Sequence, residues 1–205
     1  MIIISILVIS NVFADENNNT SDEASPLEVE EILVTANRTE QSISDVSQAV
    51  QALSGDDLQD LQITDFEQMI DLIPGAVQNS SISQGSNVYS IRGVASAETD
   101  GDATIGYYLD NFAFSIPGRP YAPVTDIYDT ERVEVLRGPS GTLYGLGSLG
   151  GTIKVITKDP VIGEFEGSFK ATLADIDDGD SSHTGDLMVN IPLSETAALR
   201  GVLSI

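Results

Sequence analysis

The sequence predicts an α+β domain, a small mixed sheet with short helices, followed by longer antiparallel strands. Three observations carry this. Two alternating runs, 132–137 and 152–158, flank a glycine-rich core; two capped helical patterns precede them; and after Pro160 the period-2 alternation stretches to strands of about ten residues.

In the first run Val133 and Val135 share a parity opposite Arg132 and Glu134. In the second, Ile153 and Val155 lie opposite Thr152 and Lys154. Between them stand Gly138, Gly141, Gly145, Gly147, Gly150 and Gly151, a density that predicts close packing against another wall. Gly145, Gly147 and Gly150 spell G-x-G-x-x-G, but they lead into Thr152-Ile153-Lys154-Val155, a strand rather than the helix a dinucleotide site needs.

The helical patterns lie between 46 and 73. Ser54 is placed to cap a helix holding Leu58 and Leu61. Thr64-x-x-Glu67 reads as a capping box ahead of Phe66, Met69, Ile70 and Ile73 on one face, with Pro74-Gly75 as the stop. Residues 78–87 read as a polar loop, 88–92 as a strand, 95–103 as a second loop and 104–109 as a strand turned by Asp110-Asn111. Residues 115–124 form a third loop, stiffened by Pro117, Pro120 and Pro123.

Composition narrows the function. A formal net charge of −23 argues against a nucleic-acid partner, whose phosphates need a basic surface. No run approaches the roughly 18 apolar residues of a membrane helix, so a span would have to be made of strands. The absence of cysteine fits an oxidising periplasm as well as many cytosolic chains. Residues 1–14, MIIISILVISNVFA, read as a secretory leader without its basic start, or else a buried strand. Residues 15–29 are acidic and asparagine-rich, a tether too polar to fold alone.

The acidic run DIDDGD at 175–180 reads as a solvated turn rather than a calcium loop. The lone His183 beside it makes no metal site. No nucleophile–base pair or metal-ligand cluster stands out, and neither catalysis nor a cofactor is expected. Beyond Pro160, Phe165, Gly167, Phe169, Ala171 and Leu173 share one face. Leu187, Val189 and Ile191 repeat the scheme, and after a turn at 192–196 so do Leu199, Gly201 and Leu203. Alternation alone fits a soluble sandwich as well as a barrel, and by itself favours the sandwich.

Three stretches in order, EEILVTA at 30–36, SIRG at 90–93 and ERVEVLRGPSGTLYGLGSLGGTIKVITK at 131–158, resemble TonB-dependent outer-membrane receptors. The resemblance implies a plug domain at 37–158 followed by the first strands of an antiparallel transmembrane β-barrel at 159–205. Most of the wall would then lie beyond Ile205.

The resemblance also implies a TonB box at Glu31, Ile32, Leu33, Val34, Thr35 and Ala36, an edge-adding strand outside the plug core that engages TonB of the inner-membrane energising complex. Arg92 and Arg137 resemble members of a cluster pairing with barrel-wall glutamates. Loops 78–87 and 115–121, with Gln84, Arg119 and Tyr121, match the apical segments that meet the ligand, most often a ferric siderophore, while the barrel meets membrane lipid. A soluble periplasmic binding or adhesion module built on the same domain is the alternative.

Overall fold

The computed structural model describes residues 32–36, 38–63, 65–81, 87–96, 101–115, 117–119, 121–122, 127–145, 147–174 and 182–205. The expected leader and tether, Glu31, Thr64, Gln84 and the acidic turn 175–180 lie outside the described residues. The chain divides after Asp159, and its two units are taken separately.

The first unit runs β1 (Leu33–Val34), β2 (Gln41–Ser42), β3 (Ala49–Ser54), α1 (Gly55–Asp60), α2 (Phe66–Asp71), β4 (Ala76–Ser81), β5 (Asn87–Ile91), β6 (Val94–Ala95), β7 (Ile105–Leu109), β8 (Phe112–Ala113), β9 (Thr130–Arg137), α3 (Gly141–Tyr144) and β10 (Gly151–Thr157). Its main sheet is mixed, in the order β3-β9-β10-β7-β8. β9 lies antiparallel to both neighbours, and β10 runs parallel to β7.

The register aligns the parities read from the sequence. Leu53 pairs with Val133, and Val133 with Val155; one step along, Ala52 pairs with Glu134, and Glu134 with Lys154. The first face, with Val133, Val135, Ile153, Val155 and Tyr107, packs on Leu58, Phe66, Met69, Ile70 and Ile73 of the helical segment. The Phe66 ring lies against those of Tyr89 and Tyr107, with centroids 5.7 and 6.0 Å apart. The second face, with Val50, Ala52, Leu136 and Tyr108, has a separate small core under Val34, Ala36 and Tyr144.

Both helices are one-and-a-half turns long, so their caps matter. Ser54 Oγ accepts from Asp57 N at 3.0 Å, as its position predicts. α2 differs from expectation: its cap is Asp65, whose side chain accepts from Gln68 N at 2.8 Å, one residue after the Thr64 of the expected capping box. Asp satisfies the same orphan amides as Thr, so both residues fit the cap and spacing alone could not choose. Leu58 is buried, whereas Leu61 is the C-cap of α1 and is exposed.

A second correction concerns 78–87. Its first part is strand: β4 runs to Ser81 and pairs antiparallel with β5, Ala76 opposite Ile91. Its side chains carry little strand propensity, and the ladder with β5 supplies what they lack.

The second unit is an antiparallel meander, β11 (Glu166–Ala174), β12 (Ser182–Ser194) and β13 (Ala197–Ser204). Phe169, Leu187 and Leu203 align across it and are exposed. Lys170, Asp186 and Ser204 align on the other face, where Asp186, Met188 and Asn190 are buried. Asn190 is buried because its amide bonds to Val161 N and O and to Glu164 O. The expected turn at 192–196 is shorter than read. β12 continues through Pro192, which pairs with Ala198 where β11 no longer reaches, so the missing amide costs no ladder bond.

Gly55 opens α1 directly beneath the β9 backbone. A Cβ built there would stand 1.9 Å from Thr130 O. Alanine ordinarily favours a helix over glycine by about 1 kcal/mol. Here Gly55→Ala should instead destabilise the domain by about 1–3 kcal/mol, because β9 would have to move. The urea midpoint tests the sign, and an upward shift would mean the backbone contact is readily relieved.

Candidate functional site

The charged parity of β9 and β10 is not solvated. Glu134 and Thr152 are 0% exposed and Lys154 is 2% exposed. What covers them is the N-terminal segment 32–36. Thr35 N donates to Glu134 Oε1 at 2.8 Å, and the Thr35 hydroxyl donates to the same carboxylate at 3.0–3.1 Å. That hydroxyl also accepts from Lys154 Nζ at 2.5 Å. Arg132 Nε adds an ion pair to Glu134 at 2.9 Å, and Arg132 pairs on its other side with Glu131.

A single side chain thus bridges a buried anion and a buried cation. The hydroxyl can do so from one atom because it donates and accepts at once. Burial pulls the Lys154 ammonium below its usual pKa, with Glu134 opposing that pull.

The segment's carbonyls are held as well. Tyr144 Oη donates to Thr35 O at 3.1 Å and to Ala36 O at 3.0 Å. Its own ring stands edge-on to Tyr108 and lies under the Arg38 guanidinium, 5.4 Å from the ring centroid. Burial, and next the nearby Glu134, push the Tyr144 hydroxyl up to about 12. α3 puts Tyr144 here by turning the glycine-rich connection back on itself. Gly145 N bonds to Gly141 O, and beyond that turn Gly150 packs on Val94 before β10 begins.

The six residues read as a box therefore divide. Glu31 lies outside the described residues, and Ile32 and Leu33 are about half exposed. Val34 and Ala36 are 0% exposed, which corrects the expectation that the segment lies outside the core: its apolar side chains complete the second core of the domain. Ile43 N donates to Ile32 O, and Val34 pairs with Gln41. Residues 32 and 34 therefore turn their backbone groups toward β2, and 33 and 35 turn theirs away.

Arg92 and Arg137 come together around one turn. Arg92 N donates to Gly75 O at 2.7 Å, and Arg137 Nη1 approaches Pro74 O at 3.5 Å. Arg137 Nε is buried without a partner, and among the described residues neither arginine meets a carboxylate. Of the ligand-loop residues, Gln84 lies outside the described residues, Arg119 is exposed and Tyr121 is half-buried. Ala122 N, just past the second of these segments, donates to Asn87 O at the end of the first, and Gly118 N donates to Asp102 Oδ1 of the 95–103 segment.

The sequence reading had missed Arg132, Glu134, Tyr144 and Lys154 as site residues. Its one available signal was opposite charges at matching positions of two strands joined through a tight glycine-rich connection. That pattern is also normal for a wet sheet face.

The family model for the TonB-dependent Receptor Plug Domain matches residues 42–152, more than half of the chain. The chain belongs to the TonB-dependent receptor plug family. The pesticin receptor of Yersinia pestis is 30% identical over 132 residues, which is 63% of this chain and 19% of that receptor. The vitamin B12 transporter BtuB of Photobacterium profundum is 30% identical over 158 residues, 72% of this chain and 22% of the transporter.

A crystal structure of the outer-membrane ferripyoverdine receptor of Pseudomonas aeruginosa superposes with a TM-score of 0.64 at 22% identity, covering 84% of this chain and 22% of that one. The ferric preacinetobactin receptor BauA of Acinetobacter baumannii gives 0.63 at 22% identity, covering 84% and 25%. The chain spans about a fifth of the length of these relatives. The first unit is the plug, and the meander is the start of the barrel.

Glu134→Gln should cost the plug about 3–5 kcal/mol, since it leaves the buried Lys154 without a counter-charge. Hydrogen exchange in β9 reads the loss. Glu134→Leu combined with Lys154→Met should recover most of it, because Arg132 keeps Glu131. A neutral Glu134→Gln would show the carboxylate to be incidental.

Alkali offers a second check. Tyr144 holds its proton to about 12 against an ordinary 10, so its contribution is intact below pH 10 and lost as pH rises through that window. Tyr144→Phe should flatten the alkaline fall in stability; an unchanged slope would show that Tyr144 takes no part in it.

Proposed function

We propose that this chain is the N-terminal part of an outer-membrane receptor that imports a scarce nutrient, energised by TonB through residues 31–36. The observation that carries the reading is the geometry of that segment. It is a two-residue strand with half-exposed Ile32 and Leu33, held to the plug by β2 on one edge and presenting the Leu33 backbone on the other. A short extended segment of this kind joins a partner's sheet through main-chain hydrogen bonds.

A ferric siderophore is the ligand class the comparisons favour. The ferripyoverdine receptor of Pseudomonas aeruginosa matches over 82% of the chain, though the matched relatives also include vitamin B12 transporters and a metal-pseudopaline receptor. Segments 78–87 and 115–121 are the ligand-facing part of the plug on this reading, supported by the Ala122 N to Asn87 O bond beside their ends. The exposed Arg119 supplies a cation and the half-buried Tyr121 an aromatic face. Arg92 and Arg137, with no carboxylate partner among the described residues, take theirs from the barrel wall. The apolar face of the meander meets lipid. Uptake moves the ligand unchanged, so no catalytic group is required.

Leu33→Pro tests the coupling role while sparing the plug. It removes an amide on the edge that faces away from β2, leaving the Ile32–Ile43 bond in place. In the intact receptor, uptake of ferric hydroxamate and catecholate siderophores, with cobalamin and haem in parallel, should fall to background while binding is unchanged. Undiminished uptake would make the segment a structural strand only. Uptake of cobalamin or haem alone would overturn the siderophore assignment.

A further inference from the structure

The edge that a partner strand must use is already occupied, and by side chains. Residues 33 and 35 carry the backbone groups pointing away from β2. At position 35 both are taken: the amide by Glu134 Oε1, the carbonyl by Tyr144 Oη and Arg38 N. Position 33 has no such cap among the described residues. We infer that Glu134 and Tyr144 form a self-cap on the coupling strand, standing in for a partner strand at residue 35 until it is displaced.

The inference rests on the coupling role given to residues 31–36 and adds a closed state to it. A partner strand can start at Leu33 but cannot extend past it. To extend, it must supply a carbonyl for Thr35 N and an amide for Thr35 O in place of the Glu134 carboxylate and the Tyr144 hydroxyl. The cap also resists casual loss, because Thr35 Oγ1 ties Glu134 to Lys154 behind the strand. Releasing residue 35 uncovers a buried anion and a buried cation together, so water entering the face stabilises the open state. Closed and open forms therefore differ by a whole polar network rather than one bond, which favours a two-state opening over gradual fraying.

The experiment uses the intact, ligand-free receptor in outer-membrane vesicles. Residues 1–205 contain no cysteine, so Ala36→Cys places a reporter thiol at a fully buried position. Its maleimide labelling rate follows the opening equilibrium. Tyr144→Phe and Thr35→Val should each raise that rate by at least about tenfold, since each removes buried hydrogen bonds. Thr35→Ser, which keeps the hydroxyl, should leave it unchanged.

A separate thiol at the core position Ile70 should stay protected in all of these; if it labels in Thr35→Val, global unfolding has intervened and Tyr144→Phe decides, since it removes one oxygen and touches no buried charge. Protection unaltered in Tyr144→Phe would overturn the cap and leave Val34 and Ala36 burial as the holding force. Faster labelling together with undiminished uptake in Leu33→Pro would uphold the cap while refuting the coupling role, so the two failures are distinguishable.

Discussion

A carboxylate with no access to water organises the N-terminal half of this molecule. Glu134 sits at the centre of the second strand of a five-stranded sheet and needs donors on every side. Arg132 comes from its own strand, Thr35 from ninety-nine residues earlier, and the Lys154 charge from the strand opposite. Removing the carboxylate itself leaves Lys154 buried with no counter-charge. The segment 32–36 is thus held by the demands of the sheet as much as by its own apolar side chains.

The sheet consequently has two cores of different kinds. The face toward α1 and α2 is mainly apolar and closes around Phe66, Met69 and Ile70. The opposite face is mixed, with Leu136, Val50 and Tyr108 alongside the charged pair, and its lid is one short strand. Apolar burial is non-directional, whereas hydrogen-bonded networks fix geometry. A lid held by a network can be seated in one register only and released as a unit, which suits the coupling role proposed for it.

Much of the fold was legible because period-2 alternation and capping residues report directly on local geometry. Val133, Val135, Ile153 and Val155 declared their common face, and Ser54 declared its helix. Alternation says which residues share a face but not whether that face is wet. Glu134 and Lys154 therefore looked like ordinary solvent-facing positions until the register placed Thr35 over them. The cap at Asp65 and the strand at Ala76–Ser81 were missed for a related reason: each depends on a choice between neighbours, or on a ladder partner, that residue type alone does not make. Arg92 and Arg137 were read as members of a cluster with barrel-wall glutamates, and the plug shows only that both lie beside the Pro74-Gly75 turn. Among the described residues neither meets a carboxylate.

The separation between Thr35 and Glu134 has a consequence for biogenesis. The end of the chain made first can be seated only after β9 has been made, since its hydrogen-bonding partner arrives about a hundred residues later. β3 waits on β9 for the same reason, with Ala49 opposite Arg137. Throughout that interval Ile32, Leu33 and Val34 form an uncovered apolar strand, the type of element that pairs indiscriminately with other chains. The residues just before it, among them Asp22, Glu23, Glu28, Glu30 and Glu31, are densely acidic. Like charges beside a sticky strand repel a second copy of the same segment. The acidic N-terminal stretch is thus placed to oppose self-association of the one strand that must wait.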